Sequence, residues 1–485
     1  FIGFSMGIRY TVTNVSIKIL SPVFMALSSY QNAIEEAKAL LGDRLSTGSS
    51  ILQTHSHDEA YSKPCMPDAV AFPENTEEIS QLMKICSRHK CPVVPYGIGT
   101  SLEGHVIPLR GGISVDTSLM KKVLEIHESD FDAVVEPGVT RTQLNEALRT
   151  TGLMFTVDPG ADASIGGMAS TRASGTNTVR YGTMRENVMA LEVVLADGRI
   201  INTGTRARKS SAGYDLTRLF VGSEGTLGII TKITVRLFGQ PETISAATCS
   251  IGTIEAAVDT VIMAIQMGIP MARIELLDDV QMKGMNIYNP DMSFPEKPHL
   301  FLEFHGTEAG VAEQVAMFRT AAEEFGASDF EWATKTEERN RLWQARHNAY
   351  YAGKALRREA DSLVTDCCVP ISSLAACIAK AKQLIANSGL IAPLVGHVGD
   401  GNFHLLILFD ANSTAETTAA NTLAASINGL ALEFDGTVTG EHGIGSGKKK
   451  YMQAEHGEAY SLMSTIKKSL DPDNIMNPGK IVDVN

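Results

Sequence analysis

From residue 68 onward the chain alternates between short apolar runs with strand character and amphipathic helical patterns. "DAVAFP" precedes the helical pattern "TEEISQLMKICSRHK", with Thr76 as its predicted N-cap, and "CPVVPYG" follows as a strand. Strands at "GGISVDTS" and "DAVVEPGVT" then precede a helix predicted to end at Gly152. Asp197-Gly198 marks a hairpin turn. This alternation predicts an α/β domain over residues 68–245.

The pattern changes near Pro241. A long helix, "GTIEAAVDTVIMAIQMG", is followed by strands at "ARIELLD" and "HLFLEFHG". Further helices are predicted around 310–325, 336–358, 371–387 and 413–434, before a loop-like tail, "DPDNIMNPGKIV". We therefore expect a second, α+β domain over residues 246–485, and an N-terminal segment over 1–67 with a helix at 26–46.

Residues 1–24 carry only two charges, Arg9 and Lys18, and polar residues interrupt their apolar runs. The segment is therefore a poor transmembrane helix. It fits part of a transit peptide, a membrane-proximal segment, or translation upstream of a true start at Met25. We favour Met25, and hence expect a cytoplasmic protein, peripheral at an inner membrane if it meets one, with a mitochondrial location as the alternative.

The net charge and the cysteine spacing argue against several classes of partner and cofactor. The net charge of −13 argues against a nucleic-acid partner, which needs a basic face. The seven cysteines form no C-x-x-C pair, which argues against a zinc ribbon, an iron–sulfur site and a disulfide framework. We expect a reducing compartment, with any iron–sulfur centre on another polypeptide.

Three glycine-rich segments lie in the first domain: "PYGIGTSLEGH" at 95–105, a long loop at 158–188, and "FVGSEGTLGIIT" at 220–231. The first is not a Rossmann fingerprint, because Leu102 stands where the third glycine should be. Its free backbone N–H groups still form a nest suited to phosphate oxygens. One such loop alone is more simply a turn, but three together predict a large, extended, phosphate-bearing cofactor.

The second domain contains "LVGHVGDGNFHLLIL", with two histidines symmetric about Asp400-Gly401. A type I′ turn at Asp400-Gly401 would pair His397 with His404 across the strands, with Cβ atoms roughly 4.5–5.5 Å apart. A shared divalent metal would explain the pair, and so would a hydrogen-bonded polar corner. A third ligand is needed to decide between them.

These segments, together with "TGEHGIG" and "NPGK", follow one another in unbroken order from about residue 40 to 482. In this combination they resemble the FAD-linked oxidases of the vanillyl-alcohol oxidase superfamily, in particular its dehydrogenases of D-2-hydroxy acids and its glycolate oxidase D-subunits. The resemblance implies an α+β architecture, in which a two-subdomain PCMH-type FAD-binding domain is followed by an α+β cap domain of the FAD-linked oxidase C-terminal type.

The resemblance also implies which residues hold the cofactor. A histidine that binds FAD covalently in some relatives is replaced by Thr100, so non-covalent FAD is expected. The implied cofactor-binding residues are Pro95, Gly97, Gly99, Thr100, Ser101, Pro159, Gly160, Ala161, Gly166, Gly167, Ser174, Gly175, Asn177, Tyr181, Gly182, Gly225, Ile229, Ile230 and Asn477.

For the histidine hairpin, the resemblance supplies the third ligand. Glu441 of "TGEHGIG" is implied to join His397 and His404 around a divalent metal, Zn²⁺ or Mn²⁺. His442 is the implied general base, because an imidazole suits proton removal at neutral pH. Arg346 is the implied clamp for the substrate carboxylate, since a guanidinium matches a carboxylate bidentately.

Residues close in sequence to these implied site residues are given secondary roles. Arg339 and Arg341 are interpreted as surface charges, and Asp400 and Asn402 as either supports for the histidines or simple turn residues. Val364 stands where relatives acting on D-2-hydroxyglutarate carry a lysine, which favours a small monocarboxylate.

The implied reaction is oxidation of an (R)-2-hydroxy acid, D-lactate first, with electrons leaving to cytochrome c, a quinone or an electron-transfer flavoprotein. A homodimer is also expected. Alternatives are a D-2-hydroxyglutarate dehydrogenase, a subunit of a glycolate oxidase complex, an alkyl-transferring flavoenzyme, and a metal-dependent hydrolase.

Overall fold

The computed structural model describes residues 22–59 and 62–484, with side chains from residue 30 onward. The expectations for residues 1–24 therefore concern residues whose side chains the structure does not describe. Within the described part, no helix is long and apolar enough to cross a membrane. All seven cysteines are free thiols.

The N-terminal part opens with a four-stranded sheet in the order β1-β2-β4-β3. Its strands are β1 (Leu45–Ser46), β2 (Ala69–Ala71), β3 (Val93–Tyr96) and β4 (Ile113–Asp116), and its helices are α1 (Pro22–Leu41), α2 (Ser49–Thr54) and α3 (Thr76–His89). Strands β2, β3 and β4 run parallel. Apolar faces of α1 and α3 pack on this sheet and bury its strands.

A five-stranded antiparallel sheet follows in the order β5-β6-β10-β8-β9, beside a small β7-β11 pair. The strands are β5 (Val123–His127), β6 (Asp132–Val135), β7 (Leu153–Met154), β8 (Val188–Val194), β9 (Ile200–Asn202), β10 (Ile229–Arg236) and β11 (Phe238–Gly239). The helices are α4 (Arg141–Ala147), α5 (Ile165–Thr171), α6 (Thr178–Tyr181), α7 (Met184–Asn187) and α8 (Leu216–Phe220). The Asp197-Gly198 hairpin between β8 and β9 is confirmed.

The C-terminal part is built on one antiparallel sheet in the order β15-β12-β14-β13-β18-β19-β16, with β17 also paired to β19. Its strands are β12 (Thr243–Ser250), β13 (Met271–Leu277), β14 (His299–Gly306), β15 (Ser328–Ala333), β16 (Asp361–Val364), β17 (Cys367–Cys368), β18 (Leu394–His397) and β19 (Asn402–Phe409). Its helices are α9 (Ile254–Gln266), α10 (Asp279–Tyr288), α11 (Glu308–Glu324), α12 (Thr336–His347), α13 (Ala349–Ala355), α14 (Ile371–Ser388) and α15 (Thr414–Glu433), and the tail adds α16 (Met452–His456) and α17 (Ala459–Leu470). The main core lies between the sheet and α9, α11, α14 and α15.

Several predicted boundaries were wrong. The N-cap of α3 is Asn75 rather than Thr76, because the Asn75 side chain accepts from Glu78 N at 3.0 Å. Helix α4 ends at Ala147, five residues before Gly152. The segment 158–188 is no plain loop, since it carries α5, α6 and α7. The predicted helix at 336–358 is broken at Asn348 into α12 and α13.

The predicted register of the histidine hairpin was also wrong. His397 pairs with Asn402, and His404 pairs with Val395. A type I′ turn needs positive φ at both central residues, but φ is positive only at Gly401, at 78°. The connection is therefore the four residues 398–401, and the two histidines become diagonal neighbours, with ring centroids 5.3 Å apart.

The tail returns to the N-terminal part. Met476 forms a bridge with Val93, and Asn477 N donates to the Val93 carbonyl at 2.7 Å. Lys467 of α17 is buried, pairs with Asp471, and donates to the carbonyls of Thr226 and Met476 at 2.8 and 2.7 Å. This single ammonium group joins the helix, the third glycine loop and the tail.

Replacing Lys467 by methionine should therefore destabilise the protein. Loss of the ammonium leaves the buried Asp471 carboxylate unpaired, at a cost of about 3–5 kcal/mol. The exposed neighbour Lys468 provides the control, because Lys468→Met removes the same charge from solvent. Urea unfolding followed by circular dichroism should give a lower midpoint for Lys467→Met alone. Equal midpoints would contradict the anchoring role.

Candidate active site between the two parts

A cavity of about 830 Å³ lies where the two sheet systems meet. Its walls come from the three glycine-rich segments on one side and from strands β16, β18 and β19 on the other. Residues of the tail, including His442 and Asn477, close a further wall. A concave site at a junction, lined by apolar surface with convergent polar groups, is typical of a cofactor and substrate pocket.

Most of the predicted cofactor-binding residues line this cavity. They are Pro95, Gly97, Gly99, Thr100, Ser101, Pro159, Gly160, Ala161, Gly166, Gly167, Ser174, Gly175, Gly225, Ile229, Ile230 and Asn477. The remaining three, Asn177, Tyr181 and Gly182, lie outside that lining. Their side chains and backbone serve the packing of α6 instead: Asn177 Nδ2 donates to the Thr156 carbonyl at 3.1 Å, and the Tyr181 hydroxyl bonds His305 Nδ1 at 2.8 Å.

The glycines leave room that a side chain would fill. A Cβ at Gly97 would lie 2.7 Å from Ser164 Oγ, and one at Gly225 would lie 2.8 Å from the Pro95 ring. Gly225 also has φ of +70°, which L side chains rarely adopt. Asn477 Oδ1 is buried with no hydrogen-bond partner among the described residues. Bare backbone and an unused amide oxygen fit a long, polar cofactor such as FAD.

Buried charges of the glycine loops hold the tail segment 441–448. The Glu224 carboxylate accepts from Ile444 N at 2.7 Å and from Gly445 N at 2.8 Å. Lys448 Nζ lies 3.0 Å from Glu103 Oε1, and both side chains are buried. The sequence reasoning missed these residues. The available signal was a charged residue inside each glycine-rich loop, where small residues otherwise prevail.

The three predicted metal ligands do converge. The Nε2 atoms of His397 and His404 each lie 3.3 Å from Glu441 Oε1, and the three ligand atoms lie within 4.8 Å of one another. His397 Nδ1 bonds Glu275 Oε1 at 2.7 Å, and His404 Nδ1 lies 3.1 Å from the Thr365 carbonyl. Both acceptors hold a proton on Nδ1, so each Nε2 can offer its lone pair to a cation once that cation displaces any proton on Nε2. This donor set fits a divalent cation.

The electrostatics of the cluster favour a positive charge at this point, which either a proton on His397 or a bound cation can supply. Burial lowers the pKa of His397, but the Glu275 and Glu441 carboxylates raise it well above its ordinary value. Burial raises the pKa of Glu441, but His397 and His404 lower it well below the ordinary range. Glu441 therefore stays a carboxylate, and its Oε2 accepts from Ser174 Oγ of the second glycine loop at 2.6 Å.

Asp366 fixes the loop that carries Glu441 and His442. Its Oδ2 accepts from the backbone N–H of Glu441 at 2.9 Å and of His442 at 2.8 Å, and from Thr439 Oγ1 at 2.7 Å. Its Oδ1 accepts from Asn402 Nδ2 at 2.8 Å. Asn402 Nδ2 also donates to the Cys367 carbonyl at 3.0 Å, so the Asn402 side chain supports the site through Asp366 and the residue after it. We missed Asp366 as an orienting residue, because nothing in its local sequence marks its distant partners.

Asp400 belongs to the turn. It is exposed, and its backbone N–H donates to the His397 carbonyl at 3.0 Å. Of the two interpretations left open by the sequence, turn chemistry describes Asp400, and indirect support describes Asn402.

His442 lies beside the cluster. Its ring stacks on His404 with centroids 5.0 Å apart and an interplanar angle of 17°. Its Nδ1 is buried and has no hydrogen-bond partner among the described residues. Burial lowers the pKa of His442 to about 4, so the ring is neutral at neutral pH and one of its two nitrogens carries no proton.

Arg346 is buried, not a surface charge, and lines the cavity. Its guanidinium pairs with Glu275, while its Nε has no partner among the described residues. Arg339 is half-buried and donates to the Ile244 carbonyl, and Arg341 is exposed. Both lie outside the cavity lining formed by the described residues.

Comparison with protein families matches both parts of this architecture. The family described as "FAD binding domain" matches residues 67–204, and "FAD linked oxidases, C-terminal domain" matches residues 240–481. The chain therefore belongs to the FAD-linked oxidases, and it is a flavin-dependent oxidoreductase.

Within this family, the chain is similar to the probable mitochondrial D-lactate dehydrogenase of Danio rerio, with 49% identity over 462 residues, 94% of this chain and 93% of that protein. It is 45% identical over 452 residues to the mitochondrial D-lactate dehydrogenase [cytochrome] of Arabidopsis thaliana, covering 93% of this chain and 80% of that one. It is 36% identical over 431 residues to the glycolate oxidase subunit GlcD of Bacillus subtilis, covering 88% and 91%. The chain is accordingly an enzyme of the D-lactate dehydrogenase (cytochrome) type.

Solved structures confirm the predicted fold class. The 4-ethylphenol oxidase of Gulosibacter chungangensis matches with a TM-score of 0.75, 18% identity, and coverage of 94% of this chain and 97% of that chain. p-Cresol methylhydroxylase matches with a TM-score of 0.74, 18% identity, and coverage of 94% and 98%. At this identity the likeness establishes the fold alone.

Substitution of Gly225 by alanine should weaken FAD binding. The new Cβ would push the Pro95 ring out of the cavity wall, at about 1–3 kcal/mol. That range corresponds to roughly 5–150-fold in affinity. Gly268 is the matched control: its φ is +71° and a Cβ there meets nothing within 4 Å.

Titration of FAD into the stripped protein, followed by flavin fluorescence, measures the difference between the two alanine variants. Equal FAD affinities would show that the close contact at Gly225 has no role in cofactor binding.

Proposed function

We propose that this enzyme oxidises a small (R)-2-hydroxy acid, D-lactate first, to the 2-oxo acid, using non-covalent FAD and a divalent metal, Zn²⁺ or Mn²⁺. The observation that carries the proposal is the convergence of two imidazole Nε2 atoms and the Glu441 carboxylate on a cavity shared with the glycine loops. The names of the D-lactate dehydrogenase relatives support the substrate.

His397, His404 and Glu441 would hold the metal, and the glycine loops with Asn477 would hold FAD. A bound divalent cation supplies Lewis acidity that lowers the pKa of the substrate hydroxyl. Bound FAD supplies the acceptor for the hydride lost from Cα.

The chain's own residues bind and orient the acid. Arg346 lines the cavity and offers an unpartnered Nε toward a carboxylate. His442 takes the hydroxyl proton on Nε2, the ring nitrogen 3.9 Å from Glu441 Oε1 and hence beside the ligand cluster. Ser174, bonded to Glu441, keeps that carboxylate at the boundary between the glycine loops and the cap.

The cavity wall favours a monocarboxylate. Val364 lines the cavity together with Val395 and Leu406. A second carboxylate directed at this apolar surface would lose hydration without gaining a partner, which is unfavourable. D-2-hydroxyglutarate is therefore the weaker candidate. The likeness to GlcD keeps a role as a subunit of a glycolate oxidase complex as the second candidate.

For the electron acceptor we propose a cytochrome, which the name of the Arabidopsis thaliana relative supports. The names of that relative and of the Danio rerio relative support a mitochondrial location rather than the cytoplasmic one expected from the sequence. The homodimer stays a prediction.

An anaerobic visible spectrum of the purified FAD-loaded protein tests the substrate. D-lactate should bleach the flavin band, and L-lactate should not, because a carboxylate held by Arg346 and a hydroxyl held at the metal site would direct the Cα–H toward the flavin in one enantiomer only. Glycolate and D-2-hydroxyglutarate are measured in parallel. A yellow protein that D-lactate leaves unbleached but glycolate reduces would favour the glycolate oxidase candidate. Bleaching by neither would contradict the proposal.

His442→Gln should retain FAD and metal but slow flavin reduction by D-lactate by about 10²–10⁴-fold, the usual contribution of a general base. His299→Gln is the control, since His299 is also buried but bonds the Lys297 carbonyl in the cap. Stopped-flow reduction rates, with metal content measured on the same samples, separate loss of the base from loss of the metal. Equal rates for both variants would exclude His442 as the base.

A further inference from the structure

Glu275 is a buried carboxylate in an otherwise apolar part of a strand, next to the proposed site. It lies in β13, between the buried residues Ile274 and Leu276, and its exposed fraction is 1%. Its Oε1 bonds His397 Nδ1 at 2.7 Å, and its Oε2 accepts from the Arg346 guanidinium. Each oxygen of one buried carboxylate thus contacts a different group of the site.

We propose that Glu275 is a positioning residue that couples the metal ligand His397 to the carboxylate clamp Arg346; this rests on the proposed function. A carboxylate at Nδ1 holds the proton there, keeps the Nε2 lone pair free, and makes the imidazole a stronger ligand. The same carboxylate directs the Arg346 guanidinium.

A second contact between the same strand and helix supports the pair of Glu275 and Arg346. Strand β13 and helix α12 face each other through two parallel contacts, Glu275 with Arg346 and Arg273 with Trp343. The Arg273 guanidinium lies 4.6 Å from the Trp343 ring centroid, which favours cation–π attraction. Arg273 and Glu275 are two residues apart on the strand, and their partners Trp343 and Arg346 are three residues apart on the helix. Helix α12 therefore cannot slide along β13 and move Arg346 away from Glu275 without also breaking the contact between Arg273 and Trp343.

Arg273 also links this pair of contacts to the cofactor side. Its guanidinium donates to Asp158 Oδ2 at 3.1 Å and to Asn177 Oδ1 at 3.0 Å, in the second glycine segment. Asp158 itself lines the cavity. The strand that orients the metal ligand thus also contacts the loop proposed to hold FAD.

The coupling has a thermodynamic consequence. A group that helps to bind metal and also orients the clamp links the two affinities, and such linkage is reciprocal. Loss of its charge should weaken metal binding and raise KM for the acid together. A purely structural glutamate would lower stability without changing metal affinity in the folded, FAD-loaded protein.

The adjacent strand offers a matched control. Glu303 of β14 pairs in register with Arg273 and is also buried. Its Oε1 bonds His305 Nε2 at 2.8 Å, and its Oε2 lies 3.5 Å from Arg273 Nη1. It is therefore another buried carboxylate between one histidine and one arginine, but neither of those two partners belongs to the cavity lining of the described residues.

The test compares Glu275→Gln with Glu303→Gln. Zn²⁺ and Mn²⁺ affinities are measured on FAD-loaded protein by competition with a chromophoric chelator, and KM and kcat for D-lactate are measured separately. Glu275→Gln should bind metal about 10–100-fold more weakly, the usual effect of losing such an acceptor, and KM should rise. Metal affinity of Glu303→Gln should equal that of the parent, because Arg273 keeps its contacts with Trp343, Asp158 and Asn177 in that variant.

Unchanged metal affinity in FAD-loaded Glu275→Gln would overturn the inference, and so would equal weakening in both variants. Failure of the proposed metal site is recognised separately, because the parent would then bind no metal at all. If the glutamine variant retains no FAD, Glu275→Asp takes its place. The shorter carboxylate cannot reach both partners, so the same weakening is expected, and parent-like affinity would overturn the inference.

Discussion

The structure of the site depends on buried carboxylates that accept backbone N–H groups of one glycine-flanked loop. Asp366 of the cap accepts from Glu441 and His442, and Glu224 of the third glycine segment accepts from Ile444 and Gly445. The loop itself has no regular secondary structure, so it relies on these outside acceptors for its backbone hydrogen bonds. Because the acceptors come from both parts of the molecule, all these backbone hydrogen bonds of the loop form only when the two parts are docked.

Charge balance follows from the same arrangement. Each buried carboxylate of the site faces a cation or imidazole: Asp366 faces Lys448, Glu224 faces His105, and Glu275 faces Arg346. An isolated buried charge is costly, so each of these pairs depends on both partners being in place. Glu441 differs, because it faces the imidazoles of His397 and His404, whose Nδ1 atoms already bond Glu275 and the Thr365 carbonyl. That remaining set fits the divalent cation of the proposed function.

Sequence reasoning succeeded where chemistry is local. The three glycine segments mark a cavity wall because small residues and free N–H groups leave space wherever they lie. The grouping of His397 and His404 was also predicted, but their register was not, because it depends on whether Asp400 adopts positive φ. That choice is made by neighbours of the turn, since Val369 N donates to the Gly401 carbonyl at 3.0 Å. Asn177, Tyr181 and Gly182 look like loop residues in the sequence, but α6 removes them from the cavity.

The order and chemistry of the motifs determined the family and the FAD-binding architecture, and they supplied the side chains that we propose for metal, proton and carboxylate. These properties depend on residue type and spacing, so a wrong strand register or helix boundary does not change them. Only the tertiary structure decided which groups orient them. Glu275 of β13 contacts His397 of β18, 122 positions away, and Asp366, in the loop after β16, contacts Glu441 and His442, 75 and 76 positions away. Contacts at that separation are set by sheet order and docking of the two parts, and no local pattern encodes them.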